Sequence, residues 1–83
     1  MSEPTLHLQG GELSPLQYMI LREIEKAGDA GLSPDKQMTS RPRTFETAAL
    51  IAADMIRYKR TLKVTEEGRR FMGYYVREME RRQ

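Results

Sequence analysis

The chain has 83 residues, 39% hydrophobic and 31% charged, with a formal net charge of +2 and no cysteine. That length and balance describe one domain, too apolar for a wholly disordered chain and too polar for a membrane protein. The lack of Cys removes disulfides, thiolate metal sites and cysteine nucleophiles, and no apolar run nears the roughly 20 residues that span a bilayer.

Residues 1–12 contain Pro4, Gly10 and Gly11 around a weak alternation at Leu6-His7-Leu8-Gln9, which predicts a flexible N-terminal arm. Met1-Ser2-Glu3-Pro4 has neither a basic start nor an apolar stretch after it, so a cytoplasmic chain is expected. The one histidine, His7, falls in this arm without a second ligand near it, so no metal and no cofactor are expected. The domain itself is expected over 13–83.

Ser14-Pro15-Leu16-Gln17 reads as a capping box with proline at the first helical position. Leu16, Ile20, Ile24 and Ala27 recur at helical spacing until Gly28, predicting a first helix over 15–27. Leu32-Ser33-Pro34 repeats the start signal for a short helix at about 34–39. Pro42 then breaks the chain, and a third helix is expected from Arg43 or Thr44 to about Tyr58. On its wheel Phe45, Ala48, Ala49, Ala52, Met55 and Ile56 gather as an inner face. Arg43, Glu46, Thr47, Asp54 and Arg57 lie opposite, with Leu50 the one apolar residue among them.

Leu62 and Val64 alternate with Thr61, Lys63 and Thr65 as a short half-buried strand. Thr65, Glu66 and Glu67 open a last helix over about 66–82. Its inner face is Phe71, Met72, Tyr75 and Met79, and its outer stripe is Arg70, Tyr74, Arg77 and Arg81. The fold class is mainly α with a small β-hairpin.

Charge separates along the chain. Residues 1–40 carry three bases and six acids, whereas residues 41–83 carry eleven bases and six acids. An excess of cations in one half is the footprint of a polyanion-binding surface.

Two stretches carry a family resemblance. Leu13-Ser14-Pro15-Leu16-Gln17-Tyr18 with Ile20-Leu21 resembles the first helix of MarR-type regulators. Leu62-Lys63-Val64-Thr65-Glu66-Glu67-Gly68-Arg69-Arg70-Phe71 is similar to the strand leaving the wing, and the following helix, of MarR-like and PadR-like proteins. The resemblance implies a winged helix-turn-helix: a three-helix core plus a C-terminal helix, binding double-stranded DNA as a transcriptional regulator. No catalytic constellation stands in the sequence, so an enzyme is not expected.

By position, the resemblance makes the third helix the recognition helix, with Arg43, Thr44 and Thr47 at its reading end. Arg41, Arg57, Lys59, Arg60 and Lys63 become phosphate contacts. Tyr75 and Met79 become candidates for a homodimer seam along the last helix. Glu46 and Asp54 are expected on the DNA-facing side, where carboxylates oppose phosphates. An exposed Leu50 suits a protein partner instead, so the alternative is an interaction adaptor or inhibitor on the same fold.

Overall fold

The computed structural model describes residues 13–82. The expected arm at 1–12, with His7, lies outside the described residues. The first helix, α1 (Pro15–Lys26), starts as its sequence dictates. Ser14 Oγ accepts the Gln17 amide N–H at 3.1 Å, and Gln17 Oε1 accepts the Ser14 N–H at 2.9 Å. This reciprocal pair satisfies two of the donors that a helix start leaves without partners. Gly28, at φ 65°, takes the left-handed conformation that ends the helix. One face of α1 supplies Ile20, Leu21 and Ile24 to the core.

A 3-10 turn over Gly28–Ala30 leads to Leu32, which exchanges both backbone hydrogen bonds with Leu62, at 2.9 and 2.8 Å. This single-residue bridge had no signal in the sequence. It needs Gly31, whose φ is 76° and whose missing Cβ would collide with the Thr61 hydroxyl. The short helix α2 (Pro34–Gln37) follows, with Ser33 at its N-cap position but making no side-chain capping bond.

The third helix, α3 (Arg41–Ala52), differs from expectation at both ends. It begins earlier because Ser40 accepts the Arg43 N–H, while Pro42 sits in the first turn, where its missing N–H has no intrahelical role. It ends six residues before Tyr58. Asp54 takes φ 66°, its N–H bonds to the Ile51 carbonyl at 3.0 Å, and the Met55 N–H bonds to the Leu50 carbonyl at 2.9 Å. These two bonds form a Schellman motif with Asp in the position glycine usually fills.

The early stop reverses the expected wheel. Met55 and Ile56 had biased the inner face, yet neither belongs to the helix. Thr47 and Leu50 are the residues of α3 that are buried, while Phe45, Ala48 and Ala52 face solvent.

The strands β1 (Ile56–Tyr58) and β2 (Leu62–Val64) form an antiparallel hairpin, with Ile56 opposite Val64, Arg57 opposite Lys63 and Tyr58 opposite Leu62. Beyond Thr65 runs α4 (Glu66–Arg82). Thr65 Oγ1 accepts the Gly68 N–H at 3.1 Å and donates to the Asp54 carbonyl at 2.6 Å, tying the start of α4 to the end of α3. Phe71, Met72 and Tyr75 pack on the core from α4, and the Tyr75 ring stacks on Tyr18 of α1 with centroids 4.3 Å apart. The arrangement is mainly helical with one two-stranded hairpin. No helix among the described residues is long and apolar enough to cross a membrane.

Candidate nucleic-acid interface

The hairpin displays its cations because of its pleat. Ile56, Leu62 and Val64 turn inward and are buried, so Arg57 and Lys63 between them turn out. These two are direct cross-strand partners, and both are exposed. Lys59 and Arg60 occupy the exposed connection, closed by the Lys59 N–H bonding to the Thr61 carbonyl at 3.3 Å. Tyr58 stands beside them, 51% exposed.

Carboxylates pair with several cations elsewhere in the molecule. Arg43 pairs with Glu23 at 3.0 Å, Arg69 with Glu25 at 2.9 Å, Arg70 with Glu67 at 2.5 Å, and Arg81 with Glu78 at 2.6 Å. Among the described residues, Arg41, Arg57, Lys59, Arg60 and Lys63 have no such partner, and neither do Arg22 and Lys26 on α1, Lys36 on α2 or Arg77 on α4; only the hairpin brings four of these cations together in one short segment. The outer stripe of α4 is largely self-satisfied, since Arg77 also lies over the Tyr74 ring at 5.5 Å.

On α3 the expected reading residues separate. Arg41 and Thr44 are exposed at its start. Arg43 instead turns back onto α1, with both terminal nitrogens on the Glu23 carboxylate at 3.0 and 3.3 Å. The buried Gln37 amide bridges that pair when its oxygen faces the guanidinium. Thr47 is fully buried, with its hydroxyl unpartnered among the described residues, so it reads no base. Leu50 is fully buried as well; the exposed apolar contact expected there is core.

The structure also moves both acids of concern. Glu46 accepts a hydrogen bond from Gln17 Nε2 at 2.8 Å, which turns it toward α1. Asp54 lies beyond the helix, in the turn. The solvent-facing stripe is therefore Arg41, Phe45, Ala48 and Ala52, flanked by Thr44, all exposed and without a carboxylate. Sequence reasoning missed Phe45 as an outward residue, and no local signal separates it from an inward one. At the proposed seam, the Tyr75 ring is occupied by Tyr18 within the chain and Met79 is half-buried.

No three His, Cys, Asp or Glu side chains gather as a metal site among the described residues. Comparison with protein-family models, curated proteins and solved structures gives no match for this chain.

Proposed function

We propose that this chain is a small winged-helix DNA-binding protein, a transcriptional regulator that lays α3 in the major groove and grips the backbone with the hairpin as a short wing. The order of elements supports this: helix, bridging residue Leu32, short helix, helix, hairpin, helix. The observation that carries it is the pair Arg57 and Lys63, face to face across the hairpin, with Lys59 and Arg60 beyond them and no carboxylate on any of the four. Like charges directly opposite on a sheet face destabilise it. A phosphate backbone reverses the sign of that interaction.

Five phosphate contacts, from Arg41, Arg57, Lys59, Arg60 and Lys63, give a slope of log affinity against log salt of about −4.5. Affinity for a mixed-sequence duplex then falls about 10²- to 10³-fold between roughly 50 and 200 mM salt. Fluorescence anisotropy over that range tests the proposal; no binding at low salt, or binding indifferent to salt, refutes it. In a homodimer along α4, a two-fold axis pairs two α3 helices on a palindromic site.

A second reading, docking on a protein, draws on the apolar stripe of α3, where Phe45 is 56% exposed. Its contact is Phe45, since Leu50 is out of reach.

A further inference from the structure

The stripe on α3 has an unusual composition for a groove-facing surface. Arg41, Phe45, Ala48 and Ala52 lie within about 60° of one another at 3.6 residues per turn. Beyond Arg41 the line itself has no hydrogen-bonding side chain; the exposed Thr44 flanks it, about 40° to one side of Ala48. A surface reading bases through polar edges uses Arg, Asn or Gln, and one gripping phosphates uses cations. The apolar feature of the major groove is the C5 methyl group of thymine.

We infer that Phe45, with Ala48 behind it, reads thymine methyl groups, so that the preferred duplex carries thymines beneath the first two turns of α3. The inference rests on the DNA-binding reading above. Phe45 lies outside the hydrophobic core cluster and more than half of it remains in water, so folding does not explain the ring. The charges flanking the stripe select the occupant. Unpartnered Arg41 stands at its start, and the chain leaving its end passes one exposed acid, Asp54, before the hairpin with four more unpartnered cations. That frame fits a polyanion bearing methyl groups better than an apolar protein face.

Deoxyuridine isolates the methyl group, since it keeps the pairing edge, the groove acceptor and the phosphate of thymidine. Two otherwise identical A·T-rich duplexes, one with thymine and one with uracil, are titrated with the full chain by anisotropy at low salt. The thymine duplex is expected to bind about fourfold to fifteenfold more tightly, the range for one or two buried methyl groups. Phe45→Ala brings that ratio to about one while leaving the salt slope unchanged, and Phe45→Leu retains part of it.

Equal affinity of the wild-type chain for both duplexes overturns the inference, as does a ratio that survives Phe45→Ala. So does sedimentation in which Phe45→Ala converts a self-associated chain to a monomer with the ratio intact, because the stripe is then a seam between copies. Failure of the DNA-binding reading looks different: neither duplex binds at low salt.

Discussion

Gln17 on α1 donates its side-chain amide to Glu46 on α3 at 2.8 Å, while the same residue's carbonyl oxygen caps its own helix. One buried glutamine thus fixes both where α1 begins and which way α3 is rotated. With Glu46 held inward, Leu50 one turn later points to the core and Phe45 points away.

That rotation is testable by stability alone. Leu50→Ala empties a fully buried site and is expected to cost about 2–5 kcal/mol. Phe45→Ala removes a largely solvated ring and should stay within about 0.5 kcal/mol of wild type. Urea denaturation followed by circular dichroism measures both. Equal losses, or a larger loss at Phe45, contradict the orientation of α3.

The end of α3 makes a second case. Asp54 holds a left-handed conformation that costs most L-residues about 1–2 kcal/mol and that Asp tolerates better than others. Asp54→Gly is expected to leave stability unchanged or raise it by up to about 1 kcal/mol. Asp54→Val, β-branched, should lower it by at least about 1–2 kcal/mol. The order of the two thermal midpoints is the readout, and a valine variant as stable as the glycine variant denies the strained turn.

Such particulars set what the sequence could disclose. The starts of α1 and α4 are legible because Ser14-Pro15 with Gln17, and Thr65 with Glu66 and Glu67, satisfy local rules whose partners lie three residues away. The stop of α3 is not, since Asp54 looks like any surface acid and the Schellman motif needs Leu50 and Met55 to meet in the core. Once that stop is missed, Met55 and Ile56 count toward the helix and turn its expected face around. Of the hairpin cations Lys63 is legible, because alternation along Leu62-Lys63-Val64 settles which side it takes; Arg57 is not, because the missed stop of α3 assigns it to the helix instead of β1. Arg43 is not, because its partner Glu23 is twenty residues earlier.

Two glycines of α4 should respond with opposite signs. A Cβ at Gly68 would collide with the backbone carbonyl of Met55 and sit 2.8 Å from Val64 Cγ1, where α4 crosses the turn after α3. Gly68→Ala is therefore expected to destabilise by about 1–3 kcal/mol. At Gly73 nothing lies within 4 Å of an added Cβ, so Gly73→Ala should gain about 0.5–1 kcal/mol of helix propensity. Denaturant midpoints of the two variants on either side of wild type meet the expectation; a destabilising Gly73→Ala does not.

Stability and binding part company at the hairpin. Lys63→Glu turns the like-charge pair with Arg57 into an opposite-charge pair, directly across two strands and away from the core. The gain expected is about 0.2–1 kcal/mol of folding stability, shrinking as salt rises. In the proposed complex with duplex, the same change would remove one phosphate contact and set a carboxylate against the backbone. Duplex affinity at low salt should then fall by about tenfold or more, similarly for all sequences, and the salt slope should weaken by about one unit. Thermal melts and anisotropy on one preparation measure both quantities. A variant that becomes more stable yet binds duplex as well as wild type removes Lys63 from the interface. A variant that loses stability shows instead that the two cations do not oppose each other across the hairpin.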